Sequence, residues 1–333
     1  MLHGQWINVG VSQGGLLVHR QTMEALYNDF QKNIHIVFIN EIDPYQVQNR
    51  EKFAFRLEFL ASDLGNPEKL GKGYALIPGV FLQGKGDRVS TYFEAGAGLG
   101  YVDKKFDPVD NHKNIAIGSH WNAAIRIGGG LNIKLGEKLA FKPGFQVLHF
   151  SNGSVKIPNK GLNFLGYQVS LSYQISDRLG EGLGRFYEDS KELGFRINYY
   201  IGIKEAIPYG GGSFVTHSIG MDRVWEKEKV FWDLGLDYFY NRSLLAEGVA
   251  RDVKVAESDL SRMGIHFGGE PKFGRFRLQI QGGFYFMDAL NFHGAFYNRI
   301  AWIFQGNFLD VRLGLKSHFA KADHLEFGIS KRW

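Results

Sequence analysis

Long stretches of the chain alternate apolar and polar residues with a period of two. Phe276, Leu278, Ile280, Gly282, Phe284 and Phe286 fall on one side of such a stretch, and Arg275, Arg277, Gln279 and Gln281 on the other. Leu193, Phe195, Ile197, Tyr199 and Ile201 interleave with Arg196 and Asn198, and Val230, Trp232, Leu234, Leu236 and Tyr238 with Asp233 and Asp237. Successive side chains of a strand point to opposite faces, so each stretch predicts a strand with one greasy and one charged face.

Run length separates two architectures that share this pattern. Strands of a soluble sandwich are about 5 to 6 residues long, and the runs here are roughly twice that. Aromatics gather at their ends (Tyr101, Tyr199, Tyr200, Tyr238, Tyr240, Trp225, Trp302). Long strands, terminal aromatics and a charged opposite face predict an all-β fold, a transmembrane outer-membrane antiparallel β-barrel with lipid outside and polar groups inside. No segment approaches the ~18 apolar residues of a membrane helix, and mean hydropathy is −0.21. A helical membrane protein is thereby excluded, whereas a barrel, whose strands alternate, is not.

Counting from a first strand over Gly4 to His19 gives about 14 to 16 strands. Connections such as QGKGDR, KLGEK, WEKEK, PKFG and QGN are tight or modest, while DKKFDPVDNHKN, SNGSVKIPNKG and the stretch from Arg242 to Ser261 are long. That is the asymmetry of short periplasmic turns and long outer loops. EIDPYQVQNRE and SDRLGEGLGRFYEDSK are long for turns, and FAKAD is short for an outer loop. The expected organisation is one barrel over residues 1–333, with residues 177–333 adding strands that close a barrel begun by residues 1–176. A second barrel is the alternative, and loop parity does not discriminate between them.

Composition narrows the chemistry. The net charge of +5, from 39 basic and 34 acidic residues among 333, is spread along the chain. It does not form the basic stripe of a nucleic-acid-binding domain. With no Cys, disulfide scaffolds, thiolate metal sites and cysteine nucleophiles are excluded. The opening MLHGQWINVG lacks the pattern of a signal peptide, which fits a mature chain behind an added Met or a cytosolic protein. The last strand carries Leu325, Phe327, Ile329 and Lys331 on one face and ends on Trp333; such a terminal aromatic resembles the signal read by the outer-membrane assembly machinery.

Gly10-Val11-Ser12-Gln13-Gly14 formally matches a GxSxG nucleophile elbow. That motif needs a helix next, and the strand-like GLLVHR follows. Gly96, Gly98 and Gly100 lack phosphate-loop spacing and read as packing glycines. No HExxH or EF-hand pattern occurs, so no metal or other cofactor is expected.

The segment from His149 to Gly161, HFSNGSVKIPNKG, is of another kind. Phe145, Val147, His149 and Ser151 share one strand face, which sets a base beside a hydroxyl on the apolar side. In the next strand Asn163 heads the equally apolar series Leu165, Tyr167, Val169, Leu171 and Tyr173. Polar groups turned toward hydrocarbon cost several kcal/mol when unpaired, which makes a functional reading one of two that the pattern leaves open. Turn capping by Ser151, Asn152 and Asn159, with a rim histidine meeting headgroups, is the structural alternative.

The H-x-S-N run followed by P-N-x-G resembles the active-site motif of the lipid A 3-O-deacylase (PagL) family, outer-membrane barrel esterases also known as acyloxyacyl hydrolases. The likeness to short members spans roughly the first 175 residues. YGGGSF, the segment from Tyr297 to Arg299 and LGLKSHFAKADHLEFGI resemble the longer versions of the Bacteroidetes. The resemblance implies a bacterial outer-membrane esterase with Ser151 as nucleophile and His149 as general base. Asn159 and backbone N–H groups near Asn152 and Gly153 would stabilise the oxyanion. Lipid A or another outer-leaflet lipid would be the substrate. Where short members carry Glu this chain has Asn163, which accepts an imidazole N–H bond but cannot neutralise an imidazolium; a loop carboxylate such as Asp107 or Asp110 is a candidate substitute. Two other readings stand beside the esterase: a channel whose inward Arg196, Arg277, Arg312, Asp233 and Glu326 set ion preference, and a scaffold in an envelope complex with an inactive site.

Overall fold

The alternation of the sequence is the alternation of the walls. Ile280, Phe284 and Phe286 are exposed on the outside, whereas Arg277, Gln279 and Gln281 are buried in a lumen. Phe195, Ile197, Tyr199 and Ile201 face out against buried Arg196 and Asn198, and Leu234, Leu236 and Tyr238 against buried Asp233 and Asp237. The computed structural model describes residues 4–41, 52–176, 194–206, 209–227, 230–273, 275–319 and 321–333. Apart from the first residue of each, the segments EIDPYQVQNRE and SDRLGEGLGRFYEDSK lie outside the described residues.

Eight antiparallel strands form the first barrel: β1 (Gln5–Leu16), β2 (Gln31–Glu41), β3 (Lys52–Asp63), β4 (Lys72–Gln83), β5 (Val89–Val102), β6 (Trp121–Lys134), β7 (Leu139–Ser151) and β8 (Leu162–Ser176). Each pairs with its neighbour in sequence, and β8 returns to β1, with Gly166 opposite Gly14 and Phe164 opposite Leu16. The second barrel comprises β9 (Phe195–Glu205), β10 (Ser213–Lys227), β11 (Val230–Asn241), β12 (Ser261–Phe273), β13 (Phe276–Met287), β14 (Phe296–Phe304), β15 (Asp310–His318) and β16 (Lys321–Arg332). It closes through β16 on β9, with Leu325 opposite Ile203.

The expectation of a single barrel is therefore corrected: the 16 strands close as two rings of eight. The physical reason is non-local, since β8 satisfies its free edge on β1 and so leaves no edge for β9. The two compact units are residues 1–152 with 158–184, and residues 153–157 with 185–333.

A ring of eight strands is just wide enough for its own side chains to fill, and both lumens are filled. In the first barrel, Arg56 and Arg126 converge on Glu58, and Gln168 donates to the Tyr92 hydroxyl and to Glu94, each at 2.9 Å. Toward the end of the long connections the filling becomes apolar, with Leu60, Ile77, Leu148, Phe150, Leu162 and Phe164 packed under Met23 and Leu26. The second lumen is an ion-pair lattice. Arg196 meets Asp222 at 2.6 Å and Glu270 at 2.8 Å, Arg312 meets Glu270 at 3.5 Å, and Arg299 meets Glu326 at 2.6 Å. The five residues that a channel would use, Arg196, Arg277, Arg312, Asp233 and Glu326, are all buried in these pairs.

Candidate active site

Strand periodicity builds the site. Along β7, Leu148 and Phe150 turn inward into the apolar plug and are fully buried, which turns His149 and Ser151 to the outer wall. On β8, Leu162 and Phe164 do the same, and Asn163 takes the outward place directly opposite His149 in the strand register. The plug thus backs the polar residues with packed side chains, fixing their backbone in position.

The three polar side chains form one chain of hydrogen bonds. His149 Nδ1 lies 2.7 Å from Asn163 Oδ1, and His149 Nε2 lies 2.7 Å from Ser151 Oγ. An amide oxygen only accepts, so Nδ1 carries the proton, and Nε2 is left with the lone pair that receives the Ser151 hydroxyl proton. Ser151 is buried, and His149 and Asn163 are half-buried.

Asn152 N–H donates to Asn159 Oδ1 at 3.0 Å. That contact fastens the connection between β7 and β8 on itself and leaves the Asn159 amide NH2 as its donor end. Gly153 is buried at φ +60° and groups with the second unit. Asp107 is taken up by its own turn, accepting the N–H groups of Val109 and Asp110 at 2.8 and 2.9 Å, and those bonds hold its carboxyl below the usual range. Asp110 is exposed in the same connection. The nitrogens of His149 are occupied by Asn163 and Ser151, and among the described residues it forms no ion pair with a carboxylate. Ser12 of the GxSxG match points into the lumen, where it accepts from Asn33 at 2.8 Å.

Several residues that hold the site carried no motif. Asn114, fully buried in the connection after β5, donates to the carbonyls of Lys69 and Lys104 and accepts from Ile117 N–H. Asn111 and Asn66 add bonds to Lys69, Lys105 and Leu26. The loop they brace receives Lys160 N–H and Gly161 N–H on the carbonyls of Ile115 and Ala116. Gly161 has φ +75°, and a Cβ there would stand 2.8 Å from His149 Cε1, so only glycine both turns the chain and makes room for the imidazole. The available signal was asparagine and glycine in loops, which marks turns far more often than sites.

Closed antiparallel barrels with apolar outer walls and charged lumens are outer-membrane barrels, and this one carries a serine, histidine and amide in hydrogen-bonded series on a lipid-facing wall. Residues 43–174 match the family model for lipid A 3-O-deacylase (PagL), and residues 193–332 that for acyloxyacyl hydrolase, C-terminal domain. The chain belongs to this family of outer-membrane lipid A hydrolases. No curated protein matches it. Among solved structures, the outer membrane enzyme PagL is 17% identical, with 50% of this chain and 99% of that one covered and a TM-score of 0.36. Neisserial surface protein A (NspA) is 10% identical, with coverages of 52% and 97% and a TM-score of 0.37.

Proposed function

We propose that the protein is a serine esterase that hydrolyses an acyl ester of lipid A, or of a related lipopolysaccharide glycolipid, in the outer leaflet. The observation that carries this reading is the Ser151–His149–Asn163 series, with both bonds at 2.7 Å on an outward wall. The ester of an embedded lipid lies just below the headgroups, so a site on the outside of a barrel meets it without extracting the lipid.

Ser151 Oγ attacks the ester carbonyl as its proton passes to His149 Nε2. The tetrahedral oxyanion is held by the Asn159 amide NH2 and the Gly153 N–H. His149 then returns the proton to the departing sugar alkoxide, leaving the acyl group on Ser151 and an alcohol on the glycolipid. Water, deprotonated by His149, cleaves this acyl-enzyme to a free fatty acid and restores the Ser151 hydroxyl. Asn163 fixes the imidazole tautomer throughout. As a neutral amide it offers less to the imidazolium than a carboxylate would, so turnover is slower than with Glu at this position.

The test is mass spectrometry of lipid A incubated with the detergent-purified protein and with Ser151→Ala. Loss of one acyl mass with the parent alone supports the reading. An unchanged lipid with a folded parent, across several lipopolysaccharide substrates, overturns it in favour of a scaffold.

A further inference from the structure

The second unit contains a cavity of about 210 Å³ at the end of its long connections, lined by Lys204, Glu247, Ala250, His293, His318 and Asp323. Glu247 and Ala250 lie on α1 (Ser243–Ala250), the helix after β11, and His293 lies in the connection between β13 and β14. The buried charges in the wall are paired, whereas Arg251 and Lys321, which also line the cavity, are exposed. Lys204 Nζ reaches Glu247 at 2.7 Å and Asp323 at 2.8 Å, and Lys316 closes on the other Asp323 oxygen at 2.8 Å. The buried part of the wall, so neutralised, has no call for an ionic ligand.

One lining group is unmatched. His293 Nε2 donates to Glu247 at 2.9 Å, and the side chain is 4% exposed, yet its Nδ1 has no hydrogen-bond partner. With the proton fixed on Nε2 by a carboxylate, Nδ1 is an acceptor and calls for a donor such as a hydroxyl. Burial keeps this imidazole below its ordinary range and thus neutral. Its ring stacks on His318, with centroids 4.8 Å apart and planes at 23°.

We propose that this cavity binds one neutral hexose-type sugar ring, with a ring hydroxyl donating to His293 Nδ1 and the remaining hydroxyls meeting the Lys204, Glu247 and Asp323 heads. An uncharged polyol fits a buried wall that is polar but internally neutralised. The volume is below the ~300 Å³ at which pockets for larger ligands begin, which limits the occupant to a single ring. Nothing in this assignment depends on hydrolysis at Ser151. The same ring chemistry is presented by a free monosaccharide and by a sugar of a lipid-linked glycan.

Saturation-transfer NMR on the full chain in detergent micelles separates these sources. The probes are glucose, galactose, mannose and N-acetylglucosamine, and the deacylated core oligosaccharide of a rough lipopolysaccharide. The parent is expected to transfer saturation to at least one of them. His293→Ala and Ala250→Trp, the second filling the cavity from an exposed helix end, are expected to weaken it about tenfold or more, as for a hydroxyl deprived of its acceptor. Binding of a free hexose identifies a monosaccharide site, and binding of the oligosaccharide alone identifies a lipid-linked glycan. Absence of transfer to every probe, or full retention of transfer in folded Ala250→Trp, overturns the proposal.

Discussion

The two barrels have the same strand number and the same pairing scheme, and each carries a half-buried histidine on its outer wall beside a hydrogen-bond partner. In the second, His217 Nδ1 meets the Tyr199 hydroxyl at 2.8 Å, and the rings lie 6.1 Å apart in a stacked arrangement. In the first, His149 bridges a buried serine and an amide. A tyrosine–histidine pair at a barrel rim is the ordinary furniture of a membrane interface. What distinguishes the first wall is the hydroxyl held at one nitrogen while an amide fixes the other, an arrangement interfacial anchoring does not require.

The largest effect expected from this contrast is catalytic. Ser151→Ala lowers the initial rate of deacylation of lipid A by roughly 10³-fold or more, whereas His217→Ala in the second barrel leaves it within about twofold. Equal losses in the two variants, measured on protein of matched folded fraction, would abolish the distinction between the walls.

The lumens differ as sharply as the outer faces. Glu270 is fully buried among Arg196, Arg277 and Arg312, and removing one partner of a buried ionic cluster strands the others. Glu270→Ala therefore destabilises the second barrel by about 3–5 kcal/mol, read as a lower urea midpoint for loss of heat-modifiable gel mobility. Lys32 and Asp29, a fully surface pair at 3.4 Å, supply the control, since Asp29→Ala changes that midpoint little. Planar bilayers containing the parent are expected to show no steady ion conductance, because the described residues pack both lumens; a stable open level would contradict that packing.

Much of this was legible in the chain, and the part that was not has a physical cause. A strand buried on one face and lipid-exposed on the other has the same alternation whichever partner it takes, so Arg277 against Phe276 announces a wall without saying which ring closes it. Whether β8 turns back to β1 is decided by the pairing of Gly166 with Gly14, over 150 residues apart. The candidate site stood out because His149, Ser151 and Asn163 break the alternation with polar groups on the apolar face, and its reading as chemistry rested on the likeness of its motif to a known family. Asn114 and Gly161 break nothing: each looks like turn chemistry, and its part in holding the imidazole emerges only when distant connections meet.

The third position of the hydrogen-bonded series sharpens the comparison further. Asn163→Glu supplies the charge that Asn163 lacks and is expected to raise kcat by about tenfold or more, while Asn163→Ala lowers it by a similar factor. Gly161→Ala, which drives a Cβ toward His149, lowers kcat with KM less affected. If Asn163→Glu and Asn163→Ala fell equally, the amide would be acting in some way other than orienting the base.

The smallest effect lies in how each barrel secures its long connections. The first uses neutral amides, Asn66, Asn111 and Asn114, whose bonds do not titrate. The second uses charge: burial would raise Glu247, but the hydrogen bond from His293 and the Lys204 ammonium prevail and bring it down to about 2. A carboxyl depressed in the folded state contributes stability that is fully present above its unfolded value near 4.5 and is lost as pH falls toward 2. Limited digestion with pepsin, which works across that window, is expected to open the chain near α1 increasingly from pH 4.5 to pH 2. The connection around Asn114 stays resistant throughout. Glu247→Gln, unable to ionise, is expected to be cut near α1 already at pH 4.5, with little further dependence on pH. Were the parent cut equally at both pH values, the charge on Glu247 would not be what holds that helix, and the contrast between amide-clasped and charge-clasped rims would fail.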